Sequence, residues 1–165
     1  MIALIVAYAH DNIIGNKGKI PWDIKGEKNR FRELTTGNVV VMGRKSFEEI
    51  GRPLPDRTIY VISSTKKIEM DGVHTVTSLK EAMDKAGDRD IFISGGERLY
   101  KEAIDIVEKM YITEIDLNVE GDTRFPEFDE SKFIKTTEKV IDGDIPYRYV
   151  TYTRKNCYSN DYSSF

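Results

Sequence analysis

The sequence predicts a single α/β domain with a mostly parallel central sheet, an antiparallel C-terminal edge strand and helices on both faces. Short apolar runs alternate with helical patterns along most of the chain, as in parallel strands connected by helices. The first run, 2–7, is apolar throughout, as expected of a strand covered on both faces. Near the C-terminus, two longer segments joined through Asp142-Gly143-Asp144 indicate an antiparallel pair.

Each remaining element follows from its own stretch of sequence. The predicted strands are 2–7, 39–42, 58–63, 73–77, 91–94, 109–115, 133–141 and 147–154. The predicted helices are one that begins at Ile24 or Lys25, and those over 45–50, 79–86 and 97–106. Ser78 is the expected N-cap of the helix over 79–86. Residues 9–23 are expected to form a long loop, and the polar tail 156–165 is expected to be disordered.

Composition narrows the class of protein. The chain has 165 residues, which is long enough for one domain with a sizeable core. Its net charge of −3 provides no basic field of the kind that nucleic-acid binding needs. Its apolar start is too short to span a bilayer and has no cationic residues, so it is interpreted as a strand and not a signal peptide. The single cysteine, Cys157, excludes an intrachain disulfide, and His10 and His74 lack metal-ligand spacing. We expect a cytoplasmic monomer without metal, membrane or nucleic-acid partners.

The segment 20–34 carries the strongest functional signal. Pro21 favours a turn after which a helix begins, and Ile24, Phe31 and Leu34 then share one apolar face. Glu27 lies on that same face, whereas the other charges of the segment can point to solvent. A buried carboxylate is costly unless it is paired. Glu27 is a structural acid bound by backbone amides, an acid on a shallow helix whose carboxylate extends to solvent, or, beside Trp22, an acid that binds the amidine-like edge of a flat heterocycle.

Three predicted strands end in residues suited to a phosphate group. These ends are 43–46 (Gly-Arg-Lys-Ser), 63–65 (Ser-Ser-Thr) and 95–96 (Gly-Gly). Glycine at a strand-to-helix turn lets the backbone approach a ligand, and open parallel sheets bind ligands at these strand ends. Arg44 and Lys45 with the serines suit a phosphate monoester such as the 2′-phosphate of NADP, unless both cations are only a solvated helix start. The chain has neither G-x-G-x-x-G nor a Walker lysine pattern.

The segment 51–57 is stiffened by two prolines. Pro53 and Pro55 hold Leu54 between them, and an arginine lies near each end of the segment. Such an apolar residue between guanidinium groups suits an aromatic linker that ends in a carboxylate. Taken alone, the segment is better interpreted as a proline-rich connector with surface arginines.

Together these motifs resemble the dihydrofolate reductase family, in order from residue 1 to about residue 155. The matching stretches are 4–7, 12–15, 20–22, the helix with Glu27 and Phe31, 41–47, 50–55, Arg57, 63–64, 94–96 through Tyr100, 111–113, 120–123 and 125–126. The resemblance implies that a catalytic domain over 1–155 uses NADPH to reduce 7,8-dihydrofolate to 5,6,7,8-tetrahydrofolate. Hydride transfer would be accompanied by Glu27-assisted protonation.

The resemblance also implies roles for individual residues. Catalysis would depend on Glu27, Trp22 and Thr113. The implied substrate-binding residues are Ile5, Val6, Ala7, Glu27, Lys28, Phe31, Ile50, Arg52, Leu54, Arg57, Ser94, Tyr100 and Thr113. The implied cofactor-binding residues are Ala7, Ile14, Gly15, Gly18, Lys19, Ile20, Gly43, Arg44, Lys45, Ser46, Ser63, Ser64, Thr65, Ser94, Gly95, Gly96, Glu97, Arg98, Leu99, Tyr100 and Thr123. The loop through Gly15 resembles the family's mobile lid, latched by Asp122.

Some positions depart from the usual bacterial pattern. Glu27 replaces a common aspartate, and Lys25-Gly26-Glu27 is similar to the helix start of acquired, trimethoprim-insensitive reductases. Lys28 stands where the family frequently has an apolar contact residue. Glu97 follows Gly95-Gly96 where the family frequently has a third glycine. We therefore expect antifolates to bind, with weakened trimethoprim inhibition. Two alternatives stay open: a same-fold NADPH reductase of riboflavin biosynthesis, and a non-catalytic folate-binding or antifolate-binding protein.

Overall fold

The computed structural model describes residues 1–17, 20–24, 26 and 28–155. The strands are β1 (Ile2–Tyr8), β2 (Ile13–Gly15), β3 (Val39–Gly43), β4 (Thr58–Ile62), β5 (Val73–Val76), β6 (Ile91–Ile93), β7 (Lys109–Ile115), β8 (Thr123–Arg124), β9 (Phe133–Ile141) and β10 (Tyr147–Arg154). The helices are α1 (Asn29–Thr35), α2 (Arg44–Ile50), α3 (Leu79–Ala86) and α4 (Glu97–Ala103).

Eight of these strands form one sheet in the order β5-β4-β3-β6-β1-β7-β10-β9. The strands from β5 to β7 in this order pair parallel, and β10 pairs antiparallel with both β7 and β9. Parallel neighbours need crossover connections, which contain α1, α2, α3 and α4 except between β4 and β5, whereas the last two strands are joined by a short turn. The predicted sheet, mostly parallel with an antiparallel C-terminal edge, is confirmed.

Alternate residues of the inner strands face opposite helical layers. In β1, Leu4 belongs to the apolar cluster that includes Leu79 of α3 and Leu99 of α4. The next residue, Ile5, belongs to a cluster against which Phe31 of α1 packs. The continuous apolar runs are therefore explained by burial on both faces, and the prediction of helices on both faces is confirmed.

The segment before α1 differs from its prediction. The helix begins at Asn29 and not at Ile24 or Lys25, because a turn precedes it: Gly26 has a left-handed φ of +87°, and its carbonyl accepts the Asn29 N–H at 3.2 Å. Lys25 and Glu27 lie outside the described residues. The expectation that the other charges of this segment point to solvent was wrong for Arg30, which is only 6% exposed.

Two other predicted boundaries were also wrong. The loop over 9–23 contains a 3₁₀ turn over His10–Asn12 and the short strand β2, which pairs antiparallel with β8. The helix predicted over 97–106 ends at Ala103, where tight turns begin: the N–H groups of Ile106 and Val107 both bind the Ala103 carbonyl. Ser78 caps α3 as expected, accepting from the Glu81 N–H. The tail 156–165 lies outside the described residues.

Candidate active site

Many of the candidate residues meet at the carboxyl ends of β3, β6, β1 and β7. Ala7 at the end of β1 pairs with Thr113 of β7. At the end of β3, the Gly43 N–H donates to the Gly95 carbonyl at 2.8 Å. Open parallel sheets bind ligands at this edge, so the fold brings the predicted cofactor and substrate residues to one place.

The backbone segments at the starts of α2 and α4 lie close together, and the glycine-lined surface that they form is called the glycine cleft below. The Gly95-Gly96 peptide is cis, and Gly95 has φ +115°. A Cβ at Gly95 would lie 3.3 Å from the Ser46 Oγ, and a Cβ at Gly43 would lie 3.8 Å from the Gly95 oxygen. Side chains at these glycines would fill the cleft, so their absence lets backbone groups approach a flat or phosphate-bearing ligand.

Arg44 and the hydroxyl residues after β4 are adjacent in space. The Arg44 Nη1 donates to the Thr65 Oγ1 at 3.4 Å, and its Nε lies 3.7 Å from the Glu48 carboxylate. The Ser63 Oγ accepts the Lys66 N–H at 3.0 Å. Both contacts of Arg44 are long and partly exposed, so they hold its charge only weakly and leave it available to an anion.

Tyr100 connects α4 to the central strand. Its hydroxyl, in a side chain that is 5% exposed, donates to the Ile5 carbonyl at 2.8 Å. Burial raises the pKa of Tyr100, so the phenol stays neutral and remains a donor. The bond fixes the backbone of β1 between the glycine cleft and the apolar layer below α1.

The remaining catalytic candidates lie around the start of α1. Thr113 is 5% exposed, on the strand between Ala7 of β1 and Tyr149 of β10. Trp22 is half-buried in the segment that leads to α1. Glu27 lies outside the described residues, but the carbonyl of the preceding Gly26 accepts a long bond from the Tyr149 hydroxyl at 3.5 Å. Gly26 is thus connected to β10.

Arg57 is held beside the apolar face of α1. Its Nε donates to the Pro55 carbonyl at 3.0 Å, its Nη1 donates to the Thr35 Oγ1 at 3.1 Å, and its guanidinium lies 5.8 Å from the Phe31 ring centre. Burial lowers the pKa of Arg57, with Arg32 acting in the same direction. Within the described chain no carboxylate forms an ion pair with Arg57, so the site suits an incoming carboxylate.

The loop around Gly15 is latched at two places. The Asp122 carboxylate accepts the Lys17 N–H at 3.1 Å, and the Asp122 N–H donates to the Gly15 carbonyl at 3.1 Å. Hydrogen bonds from the Thr123 hydroxyl and the Lys17 amide lower the pKa of Asp122. Besides the two bonds to Asp122, a further hydrogen bond that was not predicted holds this loop: the Ile20 N–H donates to the Glu49 Oε1 at 3.0 Å. No local sequence signal marks Glu49, because the bond joins segments distant in the chain.

The predicted site residues differ in exposure. The buried ones are Ile5, Val6, Gly95, Leu99, Tyr100 and Thr113. The half-buried ones are Ala7, Ile14, Gly15, Trp22, Phe31, Gly43, Arg44, Ser46, Leu54, Arg57, Ser63, Ser94, Gly96 and Thr123. The exposed ones are Ile20, Lys28, Lys45, Ile50, Arg52, Ser64, Thr65, Glu97, Arg98 and Asp122. Gly18, Lys19 and Glu27 lie outside the described residues.

Sequence reasoning also missed Arg30, which lies four residues before Leu34 and faces the sheet from α1. That spacing was the available signal, but a charged residue is normally assigned to solvent. In the described ranges, no group of three or more histidine, cysteine or acidic residues could hold a metal ion. Nor does any helix there have the length and apolar character needed to cross a membrane.

Comparisons with known proteins agree with this geometry. The family model for dihydrofolate reductase matches residues 1–154. A dihydrofolate reductase of Bacillus subtilis is 37% identical, covering 94% of this chain and 96% of that relative. A type 3 dihydrofolate reductase of Salmonella typhimurium is 41% identical, covering 78% of this chain and 80% of its own. A solved dihydrofolate reductase of Enterococcus faecalis, complexed with NADP(H) and RAB-propyl, superposes with a TM-score of 0.84 at 34% identity, covering 94% of this chain and 97% of that one.

Proposed function

Because the chain belongs to the dihydrofolate reductase family, we propose that Glu27 binds the pterin ring of the substrate and assists its protonation. The chain is an NADPH-dependent oxidoreductase that reduces 7,8-dihydrofolate to 5,6,7,8-tetrahydrofolate. NADPH supplies the hydride, so the work left to this chain's residues is binding, orientation and proton delivery. The assignments below concern those residues.

The observation that carries the proposal is the meeting of two different surfaces at one sheet edge. One is the backbone cleft of Gly43, Gly95 and Gly96 with the Ser46 hydroxyl. The other is the layer below α1, in which Thr113 lies on β7 next to Ala7 at the end of β1. A cofactor in the cleft and a pterin in that layer would share the edge of β1, which is the arrangement that direct hydride transfer requires.

The residues around the cleft fit NADPH. We assign the 2′-phosphate to Arg44 and Lys45 with the hydroxyl residues 63–65, because Arg44 already lies beside Thr65 and is only weakly engaged. The glycines suit the close approach of the diphosphate and nicotinamide. The other cofactor residues assigned to this site are Ala7, Ile14, Gly15, Gly18, Lys19, Ile20, Ser94, Glu97, Arg98, Leu99, Tyr100 and Thr123.

The residues below α1 fit the substrate. We assign the p-aminobenzoyl channel to Phe31, Ile50 and Leu54, of which Phe31 and Leu54 pack against the same apolar cluster. Arg57 would bind the α-carboxylate of the glutamate tail, because its guanidinium is already oriented by Pro55 and Thr35. Trp22 and Thr113 would orient Glu27, partly through water. The remaining substrate residues assigned are Ile5, Val6, Ala7, Lys28, Arg52, Ser94 and Tyr100.

The lid and the wider setting of the enzyme are also part of the proposal. We assign lid closure to the loop through Gly15, because Asp122 binds both its Gly15 carbonyl and its Lys17 amide. The catalytic domain would span 1–155, act as a monomer in the cytoplasm and bind antifolates. Weakened trimethoprim inhibition, of the acquired-resistance kind, is proposed from Glu27.

An NADPH absorbance assay with 7,8-dihydrofolate tests the proposal, run on the wild type and on Glu27→Gln. Loss of an acid that assists protonation reduces turnover ~10²–10⁴-fold. We expect that loss of turnover at neutral pH. The dissociation constant for NADPH should stay within about twofold of the wild-type value, because the cleft glycines are unchanged. Wild-type-like turnover of Glu27→Gln would remove Glu27 from the mechanism. A ribosylated pyrimidine offered as the alternative substrate should not be reduced.

A further inference from the structure

Arg30 is a buried cation on the sheet side of α1. Its side chain is 7% exposed, and its Nη1 donates to the Ile112 carbonyl at 2.9 Å and the Val150 carbonyl at 3.2 Å. Ile112 and Val150 are direct partners in the β7–β10 ladder. One guanidinium therefore connects α1 to both strands, at a single rung of the sheet.

A bulge in the edge strand supplies the counter-charge. Along β9, Lys139 pairs with Tyr149 and Thr137 pairs with Val150, so Glu138 is the extra residue. Its Oε2 lies 3.3 Å from the Arg30 Nη2, and its other oxygen accepts the Thr151 hydroxyl. Bulges commonly redirect a side chain in this way. The ion pair thus depends on the irregularity of the strand.

Aromatic rings enclose the same guanidinium. Its central carbon lies 4.9 Å from the Tyr149 ring centre and 5.3 Å from that of Tyr111. Burial lowers the pKa of Arg30, and Glu138 and the two tyrosines oppose that shift. Arginine keeps its charge in such settings. In the described part of the chain, these contacts fix the side chain from three neighbouring strands.

Such an arrangement is not explained by stability alone. A buried ion pair contributes little more than well-packed apolar residues of similar volume, because desolvation offsets the attraction. What the planar guanidinium adds is direction, since several bonds fix its orientation at once. The Ile112 carbonyl belongs to the peptide bond that leads into Thr113. At the other end, Arg30 is in the first turn of α1, three residues after Glu27 in the chain.

We propose that Arg30 is a positioning residue for the reduction: it holds the first turn of α1 and the Ile112–Thr113 peptide of β7 in the mutual placement that pterin binding requires. The proposal rests on the proposed function, because the roles of Glu27 and Thr113 are themselves proposed there. Arg30 acts through these neighbours and does not touch the substrate. Replacing Arg30 should therefore impair the reaction of dihydrofolate and leave NADPH binding unchanged, because the cleft proposed for NADPH is built from other strands.

The test is steady-state kinetics and thermal unfolding of Arg30→Met and Arg30→Lys. Small misplacement of reacting groups costs up to ~10²-fold, so we expect kcat/KM for dihydrofolate to fall ~10–100-fold in Arg30→Met. The KM for NADPH should stay within about twofold, because the glycine cleft is intact. Arg30→Lys should recover part of the loss, since it keeps the charge but not the fork of bonds.

Arg154→Met is the matched control. Arg154 donates to the Val107 and Ile104 carbonyls at 2.8 and 2.6 Å and lies 4.6 Å from the Phe133 ring centre, so it resembles Arg30 in its contacts. It lies at the end of β10, beside the start of β7 and away from the carboxyl ends at which the candidate residues meet. Its replacement should lower the unfolding temperature without changing kcat/KM for dihydrofolate. Equal kinetic losses in Arg30→Met and Arg154→Met would overturn the proposal.

One further variant, Thr151→Val, keeps the outcome decisive. If Arg30→Met does not fold, Arg30→Lys and Thr151→Val decide, because each removes bonds of the guanidinium and keeps the core filled. Wild-type kinetics in both would overturn the role of Arg30.

Glu27→Gln distinguishes failure of this proposal from failure of the proposed function. If Glu27→Gln is inactive while Arg30→Met has wild-type kinetics, only the positioning role of Arg30 fails. If Glu27→Gln is fully active, the proposed function of Glu27 fails instead.

Discussion

Replacing Arg44 by alanine should reduce selectivity for NADPH over NADH. The structure indicates how little Arg44 contributes to the fold: a 3.4 Å contact with Thr65 and a 3.7 Å ion pair with Glu48, in a side chain that is 34% exposed. Contacts of this kind contribute ~0.2–1 kcal/mol to stability. The unfolding temperature should therefore change little, and a change in cofactor affinity can be attributed to binding.

The expected loss follows from the charge of the phosphate. A hydrogen bond to a charged group contributes about 1.5–3 kcal/mol, which corresponds to roughly 10–150-fold in affinity. NADH lacks the 2′-phosphate, so its affinity should change by less than about twofold, as for a surface substitution elsewhere. The predicted signature is a selective weakening of NADPH that also lessens in added salt, because the contact is partly exposed.

Fluorescence titration of both cofactors measures this selectivity. Arg89→Ala is the matched control, because Arg89 is also an exposed cation bonded to a threonine hydroxyl, at 3.0 Å from the Thr58 Oγ1. Thr58 begins β4, whereas the phosphate site lies beyond its other end, so this variant should bind both cofactors normally. If Arg44→Ala lost affinity for NADPH and for NADH equally, Arg44 would be only a solvated charge at a helix start.

Three other predictions concern the acid and the lid. Glu27→Gln should lower dihydrofolate turnover ~10²–10⁴-fold at neutral pH in the absorbance assay. Gly121→Ala should lower turnover ~10–100-fold, because a Cβ there would overlap Ile13 and lie 2.6 Å from the Gly15 oxygen, displacing β2 from β8. Gly143→Ala is the control: a Cβ at Gly143 would have no atom within 4 Å, so this variant should have wild-type turnover. Equal turnover of the Gly121 and Gly143 variants would contradict the lid role. Glu27→Asp should strengthen trimethoprim inhibition ~10–100-fold, because a rigid inhibitor fits the longer acid poorly, and nanomolar inhibition of the wild type would refute this.

The sheet could be predicted because its signal is local. The central strands β1, β3 and β6 are apolar at nearly every position, since helices cover both faces, and the glycines at the ends of β3 and β6 indicated close backbone approach. The antiparallel end was recognisable from two long segments around one turn. These features need only neighbouring residues, and the same is true of the Ser78 cap of α3.

The start of α1 could not be predicted in the same way. Lys25, Glu27 and Lys28 have ordinary helix propensities, but Gly26 adopts a left-handed φ that places a turn before Asn29. That conformation is associated with its surroundings: a Cβ at Gly26 would lie 3.5 Å from the Tyr147 hydroxyl, which comes from a strand far along the chain. The bulge at Glu138 and the bond from Ile20 to Glu49 are likewise settled by distant partners.

From the placement of α1 we expect substitutions to change substrate recognition while cofactor binding is kept. α1 is seven residues long, too short to be stable alone, and its buried residues are the polar Arg30 and Thr35. Thr35 binds the Phe31 carbonyl at 2.6 Å and receives Arg57, while Arg30 binds β7 and β10. Directional bonds at both ends thus orient Phe31 and the turn before the helix. The cleft proposed for NADPH is lined by glycine backbone on other strands, so substitutions in and around α1 should alter dihydrofolate and antifolate binding separately from the cofactor.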